Sequence, residues 1–438
     1  MANAGITGSP LEAASGRRNP TDDPIWPARD FSRVPHRVYI DATVYQREQE
    51  RIFRGPVWSY LGLDAEIPNS GDFILTSIGD TPIILNRDAE GAPRAFVNRC
   101  AHRGALVCHK LRGHADTHTC IYHQWTFDLR GDLVGVPYRR GIKGQGGMPA
   151  DFDLKAHSLQ KIRVASYRGL LFGTFRDDAE PLEAYIGEAI RELLDRTFRA
   201  PLKILGYARQ RVPANWKLYA ENTKDPYHAG LLHLFHATFG TYRSTQKGGV
   251  TLDRLGRHSA IFAKVGTDDA AALKDAYRET SFQTVSDNAS PFRLSDPSLI
   301  AGRREFDDGI SNLIIVLFPS VVIQQIMNTL ATRKIVPMGC DEFELYWTYF
   351  GYADDDVELD AMRMKQANLI GPAGLISMED GEATRIVQAA VRRANEACSV
   401  IEMGGRGEIA APDHLVTEVP IRGMWREYCR LMDYQVAP

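Results

Sequence analysis

The sequence predicts an α+β protein in which an all-β metal-binding domain is inserted ahead of a mixed helix-sheet catalytic domain. Three observations predict it. Between residues 57 and 165, short apolar runs alternate with turn residues such as Asn69-Ser70-Gly71 and Asp88-Ala89-Glu90-Gly91, as hairpins do. Within that stretch two Cys/His pairs stand at metal-ligand spacing. After residue 166, long apolar strands mix with segments whose apolar residues recur at three- and four-residue steps. With 438 residues the chain has room for two or three domains. The expected division is a tail over 1–37, a helical lead-in over 38–56 that belongs to the catalytic domain, the β domain over 57–165 and the catalytic domain over 166–438.

The elements follow in order. The opening MANAGITGSPLEAASG lacks a charged region followed by an apolar run, so it reads as a disordered tail with no secretory signal. Val44 to Gly55 has helical character. Strands are expected at Phe73 to Thr76, Pro82 to Leu85 and Ala95 to Val97, and again over Trp125 to Val136. Gly144 to Pro149 is a loop, and Leu170 to Phe175 is a strand returning toward the next domain. Pro181 to Arg199 is an amphipathic helix, with Leu182, Tyr185, Ile186, Ile190, Leu193 and Leu194 on one stripe. Later come strands at Ile314 to Ile323 and Phe343 to Gly351, and helices at Val357 to Ile370 and Asp380 to Glu396. The run Leu313 to Ile326 is interrupted by Pro319-Ser320 and is too short to cross a bilayer, which takes about 20 residues; it reads as buried strand. A net charge of -3 with mixed signs offers no basic footprint for nucleic acid or an acidic membrane. Six cysteines in so long a chain fit a reducing cytoplasm rather than a disulfide framework. Cys108, Cys340, Cys398 and Cys429 are expected to be free.

The first metal motif is Cys100-Ala-His102-Arg103-Gly104, fifteen residues, then Cys120-Ile-Tyr-His123. Equal numbers of thiolates and imidazoles suit a structural zinc, a mixed iron–sulfur cluster or a chance grouping. Zinc fingers pair like ligands, whereas here each half holds one Cys and one His. That is what a Rieske [2Fe–2S] centre requires, because one iron takes both thiolates and the other both imidazoles. Gly104 suits a tight turn at the cluster, and Tyr122 and Trp125 are expected to shield it. His109, His114, His118 and Cys108 lie between the pairs and read as bystanders.

The second motif runs from Glu221-Asn222 through Asp225-Pro-Tyr-His228 to His233. Two histidines and a carboxylate leave neighbouring positions open on a non-haem Fe(II), where dioxygen can be held. His228 and His233 are five apart and so about 140° out of register on a regular helix. A kink is therefore needed, and Pro226 and Gly230 are the expected places. His236 is the rival ligand, and a polar stripe on an ordinary helix is the bland reading.

With both motifs in one chain, the sequence resembles the large (α) subunits of Rieske non-haem iron ring-hydroxylating oxygenases. C-x-H-R-G, C-x-x-H, Asn215-Trp216-Lys217 and E-N-x-x-D-x-Y-H-x-x-x-x-H carry the resemblance over nearly the whole chain. It implies that His228 and His233 are ligands and that His236 is not. It also implies a third ligand, Asp380, after Gly371-Pro-Ala-Gly374, in preference to Glu379 or Glu382. Asp225 matches a carboxylate that bridges the cluster histidine of one subunit, here His123, and the iron histidine of the next, here His228. Asn222 matches a polar residue beside the iron, and Ile370 and Ile376 match the lining of the aromatic pocket. Further passages, among them Gly135-Val-Pro-Tyr-Arg-Arg140, Lys365 to Gly374 and Ile401-Glu-Met-Gly-Gly405, resemble the subgroup of anthranilate dioxygenases, salicylate 5-hydroxylases and terephthalate dioxygenases.

The resemblance implies a terminal oxygenase component that hydroxylates an anthranilate- or salicylate-like benzoate with O2 and NAD(P)H-derived electrons. A reductase, in some systems with a ferredoxin, would deliver them. The assembly implied is an α3 homotrimer or an α3β3 complex with a small β subunit. Salicylate-type monohydroxylation and terephthalate 1,2-dioxygenation are the alternatives within the family. Outside it, a Rieske electron carrier would be far shorter and would lack the second motif. Arg333, on a run from Gln324 to Pro337 expected to be a strand, is either a surface or ion-paired arginine or, as the resemblance favours, the group that meets a substrate carboxylate. Terephthalate enzymes match a second arginine near the chain end, where this chain has Leu415.

Overall fold

The computed structural model describes residues 25–267, 270–277 and 293–437. The expected disordered tail lies outside the described residues as far as residue 24, but residues 25–37 are ordered and send Trp26, Phe31 and Val34 into the core. Trp26 is fully buried, with Trp425 at 5.1 Å and Tyr428 at 6.4 Å between ring centroids. Strand β1 (Arg33–Pro35) pairs antiparallel with residues 398–400. Trp26, Phe31 and Val34 anchor this segment in the core despite the polar residues around them. Helix α1 (Ala42–Glu48) starts where the Asp41 side chain accepts the Thr43 N–H at 2.8 Å, and it widens into a π turn over Gln49–Phe53.

The β-rich unit contains β2 (Ser59–Leu63), β3 (Asp72–Ile78), β4 (Thr81–Arg87), β5 (Pro93–Val97) and β6 (Arg112–His114). Short strands β7 (His118–Thr119), β8 (Thr126–Phe127) and β9 (Leu133–Gly135) follow, then β10 (Lys161–Tyr167) and β11 (Leu170–Thr174). They form a seven-stranded sheet, β2-β11-β10-β5-β4-β3-β6, and a three-stranded one, β7-β8-β9. Because β11 lies between β2 and β10, the unit runs to Thr174, past the expected boundary at 165. Successive residues of a strand face opposite sides, and both sides of β4 are occupied. Ile83 and Leu85 enter the main core, while Ile84 joins Phe96, Cys100, Cys120 and Trp125 in a separate cluster under the metal loops.

The expected helix over 181–199 is two helices, α2 (Leu182–Ile186) and α3 (Glu188–Thr197), broken at Gly187 where φ is +81°. Next come β12 (Leu202–Val212), α4 (Trp216–Asn222), α5 (Ala229–Leu232), α6 (Leu234–Phe239), β13 (Gly248–Leu252), β14 (Ser259–Ala263) and α7 (Ala270–Tyr277). The chain continues with β15 (Asn312–Leu317), β16 (Val321–Ile326), β17 (Thr329–Pro337), β18 (Phe343–Tyr352), α8 (Val357–Ile370), α9 (Leu375–Val391), β19 (Cys398–Val400) and α10 (Val419–Met432). The catalytic sheet is antiparallel in the order β12-β18-β17-β16-β15-β14-β13. Leu313 to Ile326, expected to be one strand, is β15 and β16 with a reversal at Phe318–Ser320. Gln324 to Pro337 likewise reverses at Met327, where φ is +52°. Both faces of these strands are buried, so no polar alternation marks where one ends.

The two faces carry different traffic. Thr332 and Lys334 meet the β-rich unit: Thr332 Oγ1 lies 3.2 Å from the Tyr60 hydroxyl, and Lys334 Nζ donates to the Ser77 carbonyl at 2.6 Å. Arg333, between them, points to the opposite face. The chain's own β-rich unit and the pocket around Arg333 are therefore on opposite sides of one sheet.

Candidate active site

The two metal loops bring the first ligand set together. Cys100 and Cys120 are buried free thiols, and the rings of His102 and His123 are 4.4 Å apart. The first loop turns because Gly104 N–H donates to the Cys100 carbonyl at 2.9 Å with φ of +73° at Gly104. Trp125 is buried and stacks on His102 at 4.8 Å and 3°. His102 Nδ1 is buried without a hydrogen-bond partner. A buried nitrogen lone pair so placed is costly unless it is a ligand, and two thiolates with two imidazoles are the donor set of a Rieske [2Fe–2S] cluster. Tyr122, expected to shield the cluster, is 57% exposed beside His123.

The second set is built by three helices. Asn215 caps α4 by accepting the Lys217 N–H at 3.0 Å, and α4 presents Asn222. Asp225 Oδ1 accepts the N–H groups of Tyr227 and His228 at 3.1 and 3.2 Å, starting the next turn. The expected kink falls at His233 itself, where φ −86° and ψ 90° separate α5 from α6, rather than at Pro226 or Gly230. Asp380 arrives from α9, which starts at Leu375 and ends at Val391, so this carboxylate sits in the second turn instead of opening the helix. Asp380 Oδ1 lies 3.4 Å from His228 Nε2 and 3.3 Å from His233 Nε2. Ligands at about 2.1 Å from one ion and at right angles to each other are about 3 Å apart, so the three atoms suit one side of an iron.

Around them the neighbours orient the rings. Asn222 Nδ2 donates to Asp380 Oδ1 at 3.1 Å and lies 3.3 Å from His228 Nε2. Glu379 Oε2 is 2.7 Å from His233 Nδ1, and Asp225 Oδ2 is 3.5 Å from His228 Nδ1. His236 Nδ1 is bonded to Thr241 Oγ1 at 2.6 Å and is no part of the triad. The triad opens onto a cavity whose wall includes His236, Ile261, Asn312, Ile314, Arg333 and Ile376. Ile376 stands on this wall. Ile370 does not: it packs behind, in an apolar cluster with Phe235, Ile326, Leu369 and Ile376.

Residues 57–150 match the Rieske [2Fe-2S] domain family, and residues 194–433 match the ring hydroxylating alpha subunit catalytic domain. The chain is a ring-hydroxylating oxygenase alpha subunit. It is 51% identical to the anthranilate 1,2-dioxygenase large subunit of Burkholderia cepacia over 98% of this chain and 99% of that one. A terephthalate 1,2-dioxygenase alpha subunit of Comamonas sp is 45% identical over 94% and 98%. The salicylate 5-hydroxylase large oxygenase component of Ralstonia sp is 42% identical over 94% and 96%. Among solved structures, naphthalene 1,2-dioxygenase from Rhodococcus sp. bound to indole superposes with a TM-score of 0.74 at 25% identity, covering 91% of this chain and 94% of that one.

In this alpha subunit the electrostatics favour a cation at the triad. Burial opposes ionisation of Asp380, yet hydrogen bonds and charge from His228 and His233 hold its carboxyl well below the usual range. Burial likewise opposes charge on His228, but Asp225 and Asp380 raise it to about 10. Two carboxylates focused on a half-buried imidazole make a field that a divalent ion would answer. His236 shows the contrast: burial pushes it down to about 3, so it is neutral. Glu379 was missed as a positioning residue because adjacency to Asp380 on a helix does not reveal which acid reaches which ring. Gln324 and Tyr219, which hold Arg333, are not legible in the sequence, because sheet register brings the first to Arg333 and the packing of α4 on the sheet brings the second.

Proposed function

We propose that this alpha subunit is the terminal oxygenase for an aromatic acid carrying one carboxylate, of the anthranilate or salicylate kind. Arg333 carries the reading. It is 5% exposed on the cavity wall, with Nε donating to Gln324 Oε1 at 2.6 Å and one terminal nitrogen donating to the Tyr219 hydroxyl at 3.0 Å. Its guanidinium also lies 4.7 Å from the Trp347 ring centroid. No carboxylate of a described residue pairs with it. A buried cation held only by neutral partners is expensive until a carboxylate arrives, and its remaining N–H groups would receive one through charge-assisted hydrogen bonds. Leu415, at the place of the second arginine, is fully buried in an apolar cluster with Tyr242 and Ile261, which supports one carboxylate over two.

In this reading Cys100, His102, Cys120 and His123 hold the cluster, and His228, His233 and Asp380 hold the iron. When bound, the two centres supply electron transfer and dioxygen activation. Arg333 anchors the acid, Ile261, Ile314 and Ile376 exclude water from its ring, and Asn222 orients Asp380. Asp225 fixes His228 from the side away from the iron, the place for an electron path from a neighbouring subunit's cluster. The position of the chain's own β-rich unit on the far face of the sheet favours such a path, and with it a trimeric assembly, with or without a small β subunit, supplied by a reductase in the cytoplasm. Turnover with labelled dioxygen and a panel of ring acids and neutral arenes tests the proposal. Label should enter the acids; oxidation of the neutral arenes alone would sink it. The number of labelled atoms separates dioxygenation from salicylate-type monohydroxylation.

A further inference from the structure

The cavity has a second polar end. Asn312 is buried, lines the cavity and donates from Nδ2 to the Thr241 carbonyl at 2.9 Å. A carbonyl can only accept, which settles the amide orientation and leaves Oδ1 as the free acceptor of a side chain that lines the cavity. No described residue donates to that oxygen. Thr241 follows α6, and its hydroxyl is bonded to His236, so the same segment that carries the iron helix fixes this amide.

Sheet register places Asn312 and Arg333 on one face. Asn312 is opposite Ile326, Ile314 is opposite Gln324, and Arg333 is opposite Val322; residues two apart share a face. Gln324 draws the Arg333 side chain along the strands toward Asn312. Between Cα atoms, Gln324 and Asn312 are one strand across and two residues along, about 8–9 Å apart, and their side chains rise from the same face. A benzoate held at Arg333 with a hydrogen bond of about 3 Å at each end spans about 9 Å to a donor on the ring carbon next to the carboxylate, and about 12 Å to one at the para position. Ile261, Ile314 and Ile376 line the same cavity.

We propose that Asn312 is a specificity-determining residue that accepts a hydrogen bond from an amino or hydroxyl group ortho to the substrate carboxylate. This rests on the aromatic-acid reading above. An N–H or O–H donor satisfies Oδ1; a methyl group leaves it unpaired, and a second carboxylate turns acceptor against acceptor. Steady-state kinetics of the holoenzyme with 2-aminobenzoate and its near-isostere 2-methylbenzoate tests it. The parent should prefer the amino compound by at least about tenfold in kcat/KM, and Asn312→Ala should shrink that ratio to within about threefold. Arg333→Gln should lower both acids together and keep the ratio. A parent ratio near one, or a ratio that survives Asn312→Ala, overturns the assignment while leaving the aromatic-acid reading intact. A parent that turns over neither acid but oxidises neutral arenes overturns that reading instead. If Asn312→Ala fails to fold, the parent ratio decides alone.

Discussion

Glu379 and Asp380 are neighbours on α9 with different tasks. Asp380 directs Oδ1 at both imidazole Nε2 atoms, whereas Glu379 reaches the far nitrogen of His233 at 2.7 Å. Asp380→Ala should lose the mononuclear iron and all turnover, because two imidazoles alone bind it much more weakly. Glu379→Gln should keep iron at saturation but weaken its affinity about 10–100-fold, as loss of an orienting partner does. Metal analysis against added Fe(II) checks both, and the reverse pattern would exchange the two roles. At the substrate end, Arg333→Leu removes a charge-assisted bond worth about 1.5–3 kcal/mol, so KM for aromatic acids should rise about 10–150-fold. An unchanged KM would return Arg333 to a structural role.

At the scale of elements, α4 is tied to both ends of the chain by buried polar groups. Glu48 accepts from Trp216 Nε1 at 2.8 Å, Lys217 Nζ at 2.6 Å and the Tyr428 hydroxyl at 2.6 Å, which accounts for Asn215-Trp216-Lys217 as architecture rather than chemistry. Glu221 accepts from the Tyr39 hydroxyl and Trp425 Nε1, both at 2.6 Å. Burial pushes its carboxyl up from 4.5 to about 7, against the hydrogen bonds, which lower it. The folded state therefore binds a proton that the unfolded state has released between those values. Its contribution is fully present below about 4.5 and is lost as pH rises through about 7, amounting to about 3 kcal/mol. Denaturant unfolding from pH 5 to 8 should show this loss in the parent and not in Glu221→Gln, where the amide cannot titrate. Parallel pH profiles would contradict it. The motif was legible as a string, but its reason lay in Glu48 and Trp425, far away in sequence.

Across the whole molecule, the metal loops have their own small core and the triad sits beyond the catalytic sheet. Cys100→Ser should therefore abolish the cluster's visible spectrum while the iron content of the triad persists; loss of both would show that the cores are not separable. Asp225→Asn should keep both metal centres and stop turnover, because an amide cannot reproduce the charged bridge between two imidazoles proposed for Asp225. Near-normal activity would show that electrons take another route.

The sequence alone determined what close spacing can determine: two Cys/His pairs for a cluster, the His228 and His233 pair, and the hairpin pattern around them. Those are local, because ligands on one loop or one broken helix must lie near each other in the chain. Asp380 needed the resemblance, since it lies 147 residues beyond His233. Only tertiary structure decided the kink at His233, the withdrawal of Ile370 from the wall, and the alignment of Asn312, Gln324 and Arg333. The first two depend on how helices pack across the site, and the last on strand reversals in a sheet buried on both faces, where apolar composition is uniform and one residue of register chooses between the iron pocket and the β-rich unit.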